Sequence, residues 1–308
     1  MRIGRASALT DTGRRRLQNE DAFVCDPPLF AVADGMGGAQ AGEIASRLAA
    51  AALEERALEL RGAEAVAELV REANDRIFRH ALGDPTVAGM GTTVTAMLVD
   101  ERAGTIAIGH VGDSRAYRVR GGELAQLTAD HSLVAELVRS GRLSPEEAEQ
   151  HPHRSVITRA LGTEAQVEVD ALTVSMLPGD LYLLCSDGLT SMVRDADILA
   201  LLDAAGGDPE RGAGALVDAA NGAGGEDNIT VVLFEVIDGE PPPSELAAEP
   251  DAVTAEQAVP GGAPQPPPPT APPVRRHGAG AGGRRLALAA VVAAATVGPL
   301  LVWWGIAR

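Results

Sequence analysis

Three apolar runs in this sequence end in the same way. "LFAVA", "IAIGHVG" and "LYLLCS" each pass directly into an aspartate, Asp34, Asp113 and Asp187, and a fourth run, "ITVVLFEV", is preceded by Asp227. Such runs, rich in β-branched and apolar residues and bounded by Asp and Gly, read as buried strands. A single Asp-Gly at a strand end is ordinarily a turn. Repeated at four strands, it constrains the topology. If the last strand runs antiparallel to its neighbours, three C-terminal ends and one N-terminal end fall on one edge, and four carboxylates meet there.

Four ionised carboxylates within a few ångströms repel one another strongly at low local dielectric, so something positive must hold them. The aspartates offer only oxygen, a ligand set that suits Mg²⁺ or Mn²⁺ rather than Zn²⁺. Gly35, Gly37 and Gly38 let the backbone approach the site, where a glycine carbonyl can itself serve as a ligand. A pair of hard ions about 3.5–4 Å apart lowers the pKa of a bridging water and sets it in line with a phosphoryl group. That is hydrolytic chemistry.

The remainder of the chain divides near Asp238. Of the 308 residues, 45% are hydrophobic, enough for a sizeable core. The formal charge of −17 argues against a nucleic-acid partner, whose phosphates require a basic face. Cys25 and Cys185 lie in apolar surroundings without CxxC spacing and read as core thiols of a reducing compartment. Residues 1–238 form one expected domain. The helical patterns "EIASRLAAAALEERALEL" and "AEAVAELVREANDRIFRHAL" form an αα pair, the second with Val66, Leu69, Val70, Ala73 and Ile77 on one face. "TTVTAMLVDERAGTIAIGHVGD" and "SRAYRVRGGELAQL" read as hairpins. Mostly antiparallel sheets with helix pairs between them imply two packed sheets covered outside by helices.

Residues 239–285 are rich in Pro and Gly and too poor in large apolar side chains to offset their ordering entropy, so they read as a linker. Leu286 to Ala307 is a stretch without a charge, long enough to span a bilayer core of about 30 Å. Arg275, Arg276, Arg284 and Arg285 on the near side, with Trp303 and Trp304 at the far end, orient it as a single-pass anchor with the catalytic domain in the cytoplasm. The N-terminus lacks the apolar core of a secretory signal, which agrees with that placement.

The motifs "NEDAF" (19–23), "VADGMGG" (32–38), "GMGTTVTAMLV" (89–99), "HVGDSRAYRVR" (110–120), "LTADHSLVAELVRSG" (127–141), "ITRALG" (157–162), "LCSDGLT" (184–190) and "GGEDNITVVL" (224–233) resemble, in order, those of the metal-dependent serine/threonine protein phosphatases, the PPM or protein phosphatase 2C family. The chain is similar to bacterial members with a C-terminal membrane anchor. The resemblance implies an α+β fold, a four-layer α-β-β-α sandwich with the metal site at one edge. It also implies two core Mn²⁺ or Mg²⁺ ions bridged by Asp34, with Gly35, Asp187 and Asp227 completing their shells. Asp113 would join Asp187 around the third, weaker ion of bacterial members. Glu20 and Asp21 would act through water or orient the cluster, and Asn228 would support Asp227. Arg16, four residues before Glu20, would grip the phosphate.

Animal members carry a histidine after the metal-binding Asp-Gly; this chain has Met36, which leaves no side chain assigned as general acid. His131, His151 and His153 fall in a segment similar to the family's flap and read as surface or capping residues, and His110 as structural. The implied activity is hydrolysis of phosphoserine and phosphothreonine, with serine/threonine kinases and their substrates as partners. Two other readings stay open. One is a catalytically silent module that binds phosphoproteins, and the other a phosphatase of a sigma-factor regulatory pathway.

Overall fold

The computed structural model describes residues 1–37, 41–57 and 61–239. The chain opens with β1 (Arg2–Asp11), β2 (Asp21–Asp26) and β3 (Leu29–Met36), then two helices, α1 (Ala41–Arg56) and α2 (Ala63–Gly83). Strands β4 (Gly91–Thr92), β5 (Val94–Asp100), β6 (Thr105–Val111), β7 (Arg115–Arg120) and β8 (Glu123–Gln126) follow. Short helices α3 (Leu133–Arg139) and α4 (Pro145–Glu149) precede β9 (Asp170–Ser175) and β10 (Leu181–Cys185). Helices α5 (Asp187–Thr190), α6 (Asp195–Ala204) and α7 (Pro209–Gly222) lead to β11 (Ile229–Ile237).

One sheet has the order β1-β11-β10-β7-β8, the other β2-β3-β5-β6-β9 with β4 paired to β3, and every pairing is antiparallel. The central strands β3, β5, β6, β10 and β11 are apolar on both faces because both faces are covered. Phe30 and Val32 of β3 point between the sheets, where Phe30 stacks on Phe234 with ring centroids 4.0 Å apart. Leu29, Ala31 and Ala33, on the other face of β3, pack with Ala45 and Ala49 of α1 and Leu69 and Val70 of α2. On β11, Val232 and Phe234 face the other sheet, while Val231 and Leu233 meet Ile198, Leu202 and Leu216 of α6 and α7. The result is the expected four-layer α-β-β-α sandwich.

Several details differ from the sequence reading. The edge strand β1 escapes it, because Arg2, Gly4, Arg5 and Ser7 break its apolar pattern; only Ile3 and Ala8 join the inter-sheet core. The second helical layer was expected, but the sequence reading assigned no residues to its helices α6 and α7. The start of α7 is nevertheless written at Asp208-Pro209, where Asp208 accepts the Arg211 N–H at 3.0 Å and proline sits in the first turn. Cys185 is a buried thiol, whereas Cys25 lies on an edge strand and is only half-buried. Among the described residues no helix is long and apolar enough to cross a membrane. The segments read as linker (239–285) and anchor (286–307) lie, Gly239 apart, outside the described residues.

Candidate active site

Topology places the aspartates together as the strand ends require. Strands β3 and β6 are both antiparallel to β5 and so run parallel to each other, while β10 is antiparallel to β11. The C-terminal ends of β3 and β6 thus share one edge of their sheet, and the C-terminal end of β10 and the N-terminal end of β11 one edge of the other; the contacts of Ser186 with Asp21 and of Asp187 with Asp34 bring the two edges together. Asp34 lies within β3 rather than beyond it, because Gly35 and Met36 continue the strand by pairing with Thr92 and Gly91. A Cβ on Gly35 would stand 2.2 Å from the Gly42 carbonyl oxygen and 2.5 Å from that of Glu20, so only glycine fits where β3, α1 and the start of β2 converge.

Asp34 feels the charges of Asp21, Asp187, Asp113 and Asp227, and burial together with these four neighbours holds its pKa well above the carboxylate range. Burial, then Asp187 and Asp130, push Asp113 up to about 7. Burial and then Asp227 push Asp187 up to about 6, a rise tempered by its hydrogen bond with Asp34 and by Arg16 and Arg115. Asp21 is held at about 7, chiefly by burial, despite hydrogen bonds donated to Oδ2 by Ser186 Oγ (2.9 Å) and Thr230 Oγ1 (2.5 Å). Asp21 Oδ1 and Asp113 Oδ1 are buried with no hydrogen-bond partner. Buried oxygens without donors and carboxyls that retain protons near neutrality are what an oxygen-ligated cation would relieve. Among the described residues no three acidic, imidazole or thiol side chains enclose a metal ion as they stand. Asp34 and Asp187 hydrogen-bond each other and Asp227 pairs with Arg16. The donor set is nonetheless all carboxylate and carbonyl, the chemistry that Mn²⁺ and Mg²⁺ take.

The loop before β2 forms the rim. Strand β1 pairs with β11, with Thr10 opposite Thr230, so residues 12–20 run beside the Asp227 turn. Gly13, at φ +79°, makes the crossing: a Cβ there would stand 2.2 Å from the Asp227 carbonyl oxygen. Asn228 does more than neighbour Asp227. Its side-chain amide donates to the carbonyls of Thr12 (3.0 Å) and Gln18 (2.9 Å) and accepts the Glu20 N–H (2.8 Å), while its own N–H donates to Asp227 Oδ1 (2.8 Å). This clamp sets Arg16, whose guanidinium reaches Asp227 Oδ2 at 2.7 Å and also feels Glu20 and Asp34. Glu20 lies against Gly42 at the start of α1, and burial raises its pKa against the opposing charge of Arg16.

Sequence reasoning passed over the hydroxyls that hold this edge. Thr93 Oγ1 accepts the Asp34 N–H (3.1 Å) and meets Ser114 Oγ at 2.6 Å, joining β3 to the Asp113 turn. Ser186 and Thr230 perform the same task for Asp21. Ser114 and Ser186 stand next to motif aspartates in the sequence, whereas Thr93 and Thr230 carry no such signal. Among the histidines, His110 is structural as expected: it contacts Thr95 Oγ1 at 2.9 Å, and burial pushes its pKa down to about 4. His151 caps a turn by accepting the His153 N–H. His131, by contrast, is buried rather than on the surface. Its Nδ1 accepts the Gly112 N–H at 3.0 Å, and its Nε2 stands between Arg159 Nη1 at 3.0 Å and Asp170 Oδ2 at 3.2 Å. A hollow of about 380 Å³ opens on the outer helices between Met192 and Ala219, and none of the site carboxylates lines it.

Residues 12–205 match the family described as Protein phosphatase 2C. The chain is 44% identical over 240 residues to the serine/threonine protein phosphatase PstP of Mycobacterium tuberculosis, a match covering 76% of this chain and 45% of that protein. It thus spans less than half the length of that relative. It is 40% identical over 238 residues to the serine/threonine phosphatase stp of Listeria welshimeri, covering 73% of this chain and 93% of that one. Among solved structures, the catalytic domain of serine threonine protein phosphatase PstP in complex with 2 manganese ions superposes with a TM-score of 0.70 at 40% identity. That match covers 77% of this chain and 99% of the other.

Proposed function

The chain belongs to the protein phosphatase 2C family, and from that premise we propose that it hydrolyses phosphoserine and phosphothreonine in proteins. The observation that carries the reading is the edge where Asp34, Asp113, Asp187 and Asp227 converge beneath Arg16, with Asp34 and Asp113 retaining protons toward neutrality and the Asp21 and Asp113 Oδ1 atoms buried without donors. No metal aspartate of the motifs is missing, which disfavours a silent binding module.

Asp34, the Gly35 carbonyl, Asp187 and Asp227 would hold two Mn²⁺ or Mg²⁺ ions, and Asp113 with Asp187 a third, weaker one. Ions so held supply a water of lowered pKa and neutralise charge on the phosphoryl oxygens. The chain's own groups do the rest. Arg16 exchanges its contact with Asp227 for the substrate's phosphate oxygens, which a guanidinium fits in bidentate fashion. Asn228 keeps the Arg16 loop and Asp227 in register. Asp21, fixed by Ser186 and Thr230, and Glu20 orient the cluster from behind.

The charge-free stretch 286–307, its arginine-rich near flank and the Pro-rich segment before it support a further part of the proposal. The enzyme is a single-pass protein of the cell membrane, its catalytic domain on the cytoplasmic side, and it opposes serine/threonine kinases. The testing experiment strips the protein with EDTA and follows phosphate release from phosphothreonine peptides. Activity should vanish and return with Mn²⁺ or Mg²⁺; full activity in chelator refutes the mechanism. Cutting the chain after Gly239 should release it from membranes with kcat/KM on small phosphopeptides unchanged, and a truncated chain that still sediments with membranes refutes the anchor.

A further inference from the structure

We propose that Leu17 is a specificity residue, an apolar contact that selects phosphoproteins carrying an apolar side chain within two positions of the phosphorylated residue. The inference rests on the phosphatase reading and names its substrate class. Leu17 is 99% exposed, the most exposed of the large hydrophobic side chains of the described residues. A lone exposed leucine is ordinarily without meaning, but two features set this one apart.

The first is rigidity. Gly13 N–H donates to Asp11 Oδ1 (2.8 Å), Arg14 N–H to the Gly225 carbonyl (2.7 Å) and Asn19 Nδ2 to Thr10 Oγ1 (2.8 Å). Asn228 grips the carbonyls of Thr12 and Gln18, the second of these one residue beyond Leu17. Leu17 is thus presented to solvent on a loop tied down on both sides. The backbone that carries Leu17 has little further freedom to lose when a partner covers it, which leaves only the side chain's own rotamers to be fixed.

The second is position. Leu17 follows Arg16, the residue placed to grip phosphate, and successive Cα atoms lie about 3.8 Å apart. A bound peptide in extended form advances about 3.3 Å per residue. With its phosphate at Arg16, the side chains that reach Leu17 belong to residues within two of the phosphorylated one. Arg14 and Arg15 are also exposed on this loop, so the apolar contact stands in a basic setting that suits a phosphorylated chain.

The test uses five phosphothreonine peptides: one with a Gly/Ser background and four with a single Leu at −2, −1, +1 or +2. At least one Leu peptide should exceed the background peptide by about 3- to 10-fold in kcat/KM, the yield of partly burying two leucine side chains. The gain should lie in KM, since such a contact grips ground and transition states alike. Leu17→Ala should bring that ratio to about one, and Leu17→Met should retain it. Five equal rates in the wild type, or a preference that survives Leu17→Ala, overturn the assignment while leaving the phosphatase reading intact. A Leu17→Ala protein of lower oligomeric mass than wild type also overturns it, because Leu17 would then seat a second copy. If wild type with Mn²⁺ releases phosphate from none of the peptides, the phosphatase reading falls and takes this inference with it.

Discussion

Deprived of metal, the carboxylate edge should make the protein less stable as pH rises through neutrality. An unfolded aspartate releases its proton near pH 4. Folded Asp21 and Asp113 retain theirs to about 7, Asp187 to about 6, and Asp34 holds its proton well above the carboxylate range. For a group whose folded pKa is raised, the stabilisation is fully present below the unfolded pKa and is lost as pH climbs through the folded one. Between pH 6.5 and 8.5 that loss is about 1 kcal/mol for each of Asp21 and Asp113, about 2 kcal/mol together, and Asp34 adds to it in the same direction. Against a total stability of about 5–15 kcal/mol this is a large fraction. At about 2–4 °C per kcal/mol, Tm should fall by at least about 4 °C. The window matters because His110, its pKa pushed down to about 4 by burial, acts in the opposite sense. Its folded pKa lies below the unfolded value, so it costs stability only as pH drops below about 6.5. Calorimetric melts in EDTA at pH 6.5, 7.5 and 8.5 measure the effect, and Mn²⁺ should raise Tm more at 8.5 than at 6.5, where protons compete with it. A metal-free Tm that is flat or rises across this window refutes the argument.

The same crowding predicts that Asp34→Asn and Asp187→Asn raise the metal-free Tm at pH 8 while abolishing phosphate release; a wild-type rate in either variant counts against the cluster as the active site. Arg16→Ala should raise KM for phosphopeptides by about 10-fold or more, with Arg15→Ala near wild type. A larger effect at Arg15 would move the phosphate clamp by one residue. Asn228→Ala removes three hydrogen bonds to Thr12, Gln18 and Glu20. It should cost about 3 kcal/mol at roughly 1 kcal/mol per bond and speed amide exchange over residues 12–20. Unchanged exchange there would show that Gly13 and Arg14 suffice to hold the loop. Phe234→Ala, at the inter-sheet stack with Phe30 and Tyr182, should cost about 3–5 kcal/mol in a denaturant melt.

What could be read from the sequence divides along a physical line. The aspartates were legible because strand polarity is a local property: an apolar run followed by Asp says where a strand stops, and antiparallel pairing then gathers the stops on one edge. The four layers were legible for a related reason, since runs such as "ITVVLFEV" are apolar at odd and even positions alike and so must be covered on both faces. The edge strand β1 was not, because a strand with one neighbour can expose Arg2 and Arg5 without penalty and loses the alternation that betrays it. The supports of the site were hidden more deeply. Ser186, Thr230, Thr93 and Ser114 are ordinary strand and turn residues until the chain brings residues 21 and 230, or 93 and 114, into contact. Asn228 is the sharpest case: the sequence places it beside Asp227, yet its side chain serves a loop more than 200 residues away. A carboxylate cluster needs its charges in motifs, because repulsion forbids them anywhere unplanned, whereas the groups that steady it need only be polar and near. Pattern therefore exposes the carboxylate edge and conceals the scaffold that steadies it. Leu17 falls between the two, visible beside Arg16 in the sequence but given meaning only by the rigid loop that holds it in solvent.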